Sequence, residues 1–287
     1  MKKIAIQLLL FLCGLPLFSQ YDRVDSLIID VFGNDKSISN LYGQSQARSY
    51  LYSGIICDSK TLYAGRELGN EMFSANGSIY WLHSAGFYVG ASGSWYSELD
   101  PGYNSTVVTA GIRKPLGRKK NLSLGVSYNR YFFNVSDSIE IVFNNSVGTG
   151  LTLRNSWIGG HLWFNAMFGK EFGMNLSPDI FANIILTRFG SSGKLFLTPE
   201  ISLFLGSETI EYQSEGSIVD PGSPATSTSD KYGLLNTQAS MQVCVYAGNF
   251  DVELGYSWNF PTTQVQSMSY PMTSYFSFSF GYLLPLK

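Results

Sequence analysis

The chain has 287 residues, of which 45% are hydrophobic, 15% aromatic and 14% charged, and its formal net charge is −2. An ordinary soluble domain carries roughly 25% charged residues, so this chain is poor in charge; it has neither the basic footprint of a nucleic-acid binder nor the acidic excess of a disordered segment. With 29 Gly, 18 Tyr and 20 Phe spread along its length, the composition points to a β-rich protein.

At the N-terminus, Lys2 and Lys3 precede an apolar run from Ile4 to Phe18 that ends at Ser19 and Gln20. Charged, apolar and small residues in that order are those of a secretory signal peptide, residues 1–19. Cys13 follows Leu12 where a lipobox needs a small residue, so lipidation is disfavoured. No later run of about 18 apolar residues offers a membrane helix. The remaining cysteines, Cys57 and Cys244, are too few for a disulfide scaffold or a cysteine-built zinc site; they read as two unpaired strand residues.

In residues 20–48, Val24, Leu27, Ile28, Val31 and Phe32 follow helical spacing and Gly33 is placed to end it. The spacing predicts a short amphipathic helix, followed by a polar linker from Asn34 to Arg48. This segment either plugs a lumen or hangs in the periplasm.

From about Tyr50 the hydrophobic period becomes two and remains two. On the stretch opened by Lys194, the residues Leu195, Leu197, Ile201, Leu203 and Leu205 alternate with Phe196, Thr198, Glu200, Ser202 and Phe204. The same alternation sets Ile79 and Trp81 against Ser78 and Tyr80. It likewise sets Leu235, Ala239, Met241, Val243 and Val245 against Asn236, Gln238, Ser240 and Gln242. Twelve strands are predicted, near 50–66, 71–84, 87–98, 104–114, 121–134, 147–154, 157–168, 178–188, 194–207, 231–246, 249–259 and 273–284. Short connections near residues 84–86, 115–120, 155–156, 190–193 and 247–248 alternate with longer ones after strands five, seven, nine and eleven. An even strand number with short turns at one end and long loops at the other marks an all-β, up-and-down transmembrane barrel, here occupying residues 49–287.

A soluble sandwich also alternates, but its polar face usually carries Lys, Glu and Arg. Here that face carries Ser, Asn, Gln, Gly, Thr and Tyr, which suits a crowded lumen. Aromatic residues gather toward strand ends at Trp81, Trp95, Trp258, Tyr131, Phe132, Phe133 and Tyr282, where a membrane interface favours them. Strands of about 10 residues, tilted, match an apolar band roughly 25 Å tall.

The stretch Leu62-Tyr63-Ala64-Gly65-Arg66, then Ser78-Ile79-Tyr80-Trp81-Leu82-His83-Ser84-Ala85-Gly86-Phe87-Tyr88, Tyr128-Asn129-Arg130-Tyr131-Phe132-Phe133 and Gly233-Leu234-Leu235-Asn236, resembles a family of uncharacterised outer-membrane β-barrel proteins of Bacteroidetes-type bacteria. Family members commonly show a His-Lys-Ser-Gly turn where this chain has His83-Ser84-Ala85-Gly86. The resemblance implies an outer-membrane location, with lipid and the barrel assembly machinery as partners. It supplies no catalytic residue.

Residues for catalysis are sparse. His83 stands beside Ser84 at a strand end and His161 lies on the polar face of strand seven; two isolated histidines leave little from which to build a metal site or a nucleophilic triad. Gly148-Thr149-Gly150 is too short for a phosphate-binding fingerprint. No cofactor, metal or catalytic residue is expected. Arg154, His161, Glu200, Asp251 and Glu253 do project to the polar face, toward the turn side, where buried charges must pair or keep water. They form either a plug network or a selectivity constriction. The leading reading is a monomeric, non-enzymatic barrel, either a small pore or an envelope structural protein. A barrel-embedded hydrolase and a secreted β-rich binding module are the alternatives.

Overall fold

The computed structural model describes residues 49–67, 72–99, 102–119, 121–134, 141–155, 157–190, 193–214, 225–262 and 269–286. The signal peptide and the short helix expected at Val24–Phe32 lie outside these residues.

The barrel strands are β1 (Ser49–Asp58), β4 (Ser74–His83), β5 (Phe87–Tyr96), β6 (Tyr103–Leu116), β7 (Leu122–Phe133), β8 (Phe143–Arg154), β9 (Ile158–Gly169), β10 (Phe172–Ala182), β11 (Ile184–Phe189), β12 (Gly193–Ser214), β13 (Ala225–Ala247), β14 (Phe250–Pro261) and β15 (Thr273–Leu286). A two-residue pair, β2 (Leu62–Tyr63) and β3 (Arg66–Glu67), interrupts the connection from β1 to β4. The thirteen strands of the large sheet follow one antiparallel meander, and β10 and β11 both pair with β12. They are one strand broken at Asn183, so the wall has twelve. β1 bonds to β4 on one side and to β15 on the other, with Ser49 opposite both His83 and Leu286. The sheet is therefore closed and has no free edge, the condition lipid imposes on a spanning sheet.

Alternation decides the two faces. Outward positions such as Ile55, Ile79, Val89, Val126, Leu151, Leu162, Ile180, Ile201, Leu254 and Phe278 are exposed and apolar, whereas the inward positions between them are buried and mostly polar. This is the reverse of a soluble domain and the arrangement of a barrel whose solvent is hydrocarbon. Outward aromatics form two girdles: Trp81, Phe87, Trp157, Phe189 and Phe250 near the short turns, and Phe73, Trp95, Tyr103, Phe132 and Phe260 near the long loops. Tyr131 and Phe133, expected among these, instead point inward; the Tyr131 hydroxyl lies 3.0 Å from Ser146 Oγ and the Phe133 ring stacks on Tyr131 with centroids 6.0 Å apart.

The sequence-based boundaries need four corrections. The first strand stops at Asp58, where the chain bends at Ser59 and Lys60, instead of continuing to residue 66; Ala64 and Gly65, with φ of 44° and 76°, then turn the following residues back on themselves as the β2–β3 pair. The eighth strand starts at Phe172, so the connection after β9 is a tight turn at Lys170 and Glu171 and not a long loop. Most of the long connection from Ser207 to Asp230 is a two-stranded ribbon, with pairing from Ser207 opposite Tyr232 to Ser214 opposite Ala225. Lastly, Leu235 was assigned to the lipid face, but the register slips between Phe204 and Leu205, which places the extra residue of a bulge at Leu235. Its side chain turns inward beside Gly206 and is 1% exposed.

Candidate functional site: the lumen

The lumen divides into a turn-side half packed with large side chains and a loop-side half lined by amides and hydroxyls. In the first, Tyr50, Tyr52, Tyr80, Leu82, Tyr88 and Leu283 are buried on the sector from β15 to β5. Inward glycines make room for them. Tyr80 lies over Gly90, Tyr88 over Gly111, and Tyr52 over Gly54, with the Asp251 carboxylate and the Tyr52 hydroxyl both occupying the space above Gly281. A side chain at any of these glycines would collide with the ring or carboxylate that covers it.

On the adjoining strands a second group is arranged around Arg113, which is 2% exposed. The register runs Arg113, Gly125, Gly150, Trp163 across β6, β7, β8 and β9. Because the two middle positions carry no side chain, the guanidinium reaches across them to lie 5.1 Å from the Trp163 ring. Its Nη1 donates to Ser123 Oγ and to Thr152 Oγ1, both at 2.9 Å.

Of the five charged residues singled out from the sequence, the structure joins two to a partner the sequence did not reveal. His161 Nδ1 lies 2.9 Å from Asp179 Oδ1, and the His161 backbone N–H donates to the same oxygen at 3.0 Å. The imidazole also stacks on Phe181, with centroids 4.9 Å apart, and the Arg154 guanidinium lies 5.7 Å from that same ring. Arg154, Phe181, His161 and Asp179 thus make one patch on β8, β9 and β10. Asp251 and Glu253 lie on β14; Asp251 is buried and Glu253 accepts from Cys244 Sγ at 3.6 Å. Glu200, on β12, sits opposite Phe181 of β10 and opposite Ser240 of β13. Sequence reasoning missed Arg113, Asp179 and Lys194, all buried at inward positions. Parity with Thr109, Phe181 and Phe196 would have found them. Cys244 faces inward on β13, whereas Cys57 takes the outward parity of Ile55, and neither is in a disulfide.

The loop-side half is a network of neutral donors and acceptors. Asn236 Nδ2 and Gln238 Nε2 both donate to Asn259 Oδ1, at 2.8 and 3.1 Å, and Gln238 also reaches the Tyr275 hydroxyl at 3.2 Å. On the other side, Thr109 donates to Asn129, which donates to Ser146 at 3.0 Å. Such groups bond to one another inside the barrel, while Asn236 Oδ1, Asn259 Nδ2 and Asn76 Nδ2 are buried without a hydrogen bond among the described residues. Among the described residues no group of three or more His, Cys, Asp or Glu side chains is placed to hold a metal ion.

Taken together, a closed meander, an apolar exterior with two aromatic girdles and a polar interior define an outer-membrane β-barrel. Solved structures of that class are similar in outline. The KdgM porin aligns at 9% identity over 82% of this chain and 98% of its own, with a TM-score of 0.46. The COG4313 outer membrane channel from Pseudomonas putida F1 aligns at 9% identity over 85% and 98%, with a TM-score of 0.47, and the NanC porin at 7% over 82% and 98%, with a TM-score of 0.42. No family model and no curated protein matches the sequence.

Proposed function

We propose that this protein is a non-enzymatic, monomeric outer-membrane barrel that acts as a narrow, nearly closed pore, and that it belongs to the Bacteroidetes-type family its sequence resembles. The observation that carries this reading is the packing of the turn-side lumen, where Tyr52, Tyr80, Leu82, Tyr88 and Arg113 are buried within a twelve-stranded wall. Twelve strands fall between barrels filled by side chains and barrels with an aqueous channel, and here bulky side chains take up the interior. Lipid and the barrel assembly machinery are its partners on this reading. His83 supports the non-enzymatic part: its Nδ1 accepts the Ala85 N–H at 3.1 Å, which makes it a turn-fixing residue and engages the nitrogen that a hydrolase would use to orient the ring.

Planar-bilayer recording of the purified protein tests the proposal. Low or intermittent single-channel currents are expected. Large, steady currents would show an open channel, and hydrolysis of added phospholipid that is lost in a His83→Ala variant would show an enzyme.

A further inference from the structure

After β1, residues 59–67 do not extend away from the wall. Ser59 is tied back to β15, its N–H donating to the Phe276 carbonyl and its Oγ accepting the Phe276 N–H, each at 2.9 Å. From there the β2–β3 hairpin folds into the mouth and meets the wall at β13, β14 and β15. Thr273 Oγ1 donates to the Gly65 carbonyl at 2.6 Å. Arg66 donates through Nη2 to the Thr262 carbonyl, and its guanidinium lies 4.2 Å from the centre of the Tyr270 ring. Gly65 is pressed against Asn236 and Asn259, so a Cβ there would lie 2.6 Å from Asn236 Oδ1 and 2.8 Å from Asn259 Cβ. Thr61, Ala64 and Arg66 are all buried, Arg66 to 7% exposure. At the neck, Lys60 Nζ lies 3.4 Å from Glu67 Oε1. The receiving wall is itself fixed, because Thr262 bonds through its N–H and Oγ1 to the carbonyls of Leu235 and Leu234 at the β13 bulge.

We infer that the β2–β3 hairpin is an inward-folded cover over the β13–β15 side of the loop-side mouth, anchored by Gly65 and Arg66, and that it limits the size of solute able to enter. A loop carrying an arginine would ordinarily hold that charge in water. Here the guanidinium is brought under cover by a carbonyl and an aromatic face, and glycine occupies the one position where any side chain would strike the opposite wall. Its contacts are mostly polar, so the hairpin is held by geometry and hydrogen bonds rather than by an apolar core. The inference deepens the pore reading and rests on it for its consequence, though the covering itself can be tested without any current.

The test places a reporter below the cover. In a background with Cys57→Ala and Cys244→Ala, Ser240→Cys sits on the inward face of β13 four residues deeper than Asn236. Intact cells are treated with a small thiol reagent and with a polyethylene-glycol maleimide. The reporter is expected to be protected from the large reagent in the parent, and to lose that protection when Arg66→Ala is added or when residues 62–67 are replaced by a short Gly-Ser linker. The heat-dependent gel shift of each variant confirms that the barrel is closed. Equal labelling of the parent and both variants by the large reagent would overturn the inference, as would full protection in all three. Gain of labelling with no ion current in any variant would uphold the cover and remove the pore.

Discussion

Leu203 and Ser202 are neighbours on β12 and face different media. Leu203 is 36% exposed on the outward face beside Ile201, which is 61% exposed, whereas Ser202 Oγ points inward to Gln238 Oε1 at 3.5 Å. Near the midplane an arginine in lipid costs about 2–4 kcal/mol, so Leu203→Arg is expected to lower stability by that order in refolding titrations, and Ser202→Arg by less. Equal or reversed costs would mean a register error on β12. The glycines over which Arg113 reaches give a second residue-level expectation. Gly150→Val places a branched side chain against the Trp163 ring, and overpacking of this kind costs about 1–3 kcal/mol; the same urea titration is expected to show the loss, while Gly77→Val, on the outward face of β4 with open space around it, is expected to cost less and leaves the lumen untouched. Arg113 lies inside the predicted strand 104–114 and shares the parity of Thr109, so its inward side was legible. What the sequence did not show is that Gly125 and Gly150 stand beside it in register and leave room for its side chain.

At the scale of elements, alternation made the strands legible where both faces were well marked, as on β4, β5, β7, β14 and β15. On each, the outward residues are mostly exposed and the residues between them mostly buried. It failed where backbone geometry changes without a change in hydrophobicity. The run Leu62-Tyr63-Ala64-Gly65-Arg66 still alternates, so nothing in its period marks the left-handed turn at Ala64 and Gly65 that makes it a hairpin. On β13 the period carried Leu235 to the lipid face, but at the bulge Leu235 and Asn236 both turn inward, which breaks the parity between Leu235 and the residues after it. The bulge leads to a comparison between two truncations. A buried leucine cut to alanine leaves a cavity and costs about 2–5 kcal/mol, so Leu235→Ala is expected to destabilise strongly. Val243→Ala, on the outward face, is expected to cost less because lipid chains fill the vacated space. Equal costs would argue that Leu235 faces lipid after all.

For the whole molecule, closure through β1 and β15 makes stability a property of the ring, since breaking any one seam exposes unpaired backbone to hydrocarbon. The protein is accordingly expected in the outer-membrane fraction and to migrate differently on gels before and after boiling; recovery in the soluble periplasmic fraction with no shift would exclude the barrel. Closure also fixes which charges share the lumen, and that could be read only in part beforehand. Sequence reasoning weighed Glu200, Asp251 and Glu253 against Arg154, and parity from the structure adds Asp179 on one side and Arg113 and Lys194 on the other. Among the described residues of the middle and turn-side lumen, the acids Asp179, Glu200, Asp251 and Glu253 therefore face the bases Arg113, Arg154 and Lys194. An excess of one fixed negative charge attracts cations weakly, through the local potential of a low-dielectric passage. Reversal-potential measurements in asymmetric salt are expected to show a slight cation preference for whatever current passes. Glu253→Gln removes the acid that faces Cys244 and brings the two sides level, so it is expected to abolish the preference without enlarging the current. Removal of residues 21–48 is expected to raise the current while leaving the preference as it was, if the N-terminal segment enters the barrel. Strong anion selectivity in the full-length protein would contradict the inward assignment of these acids.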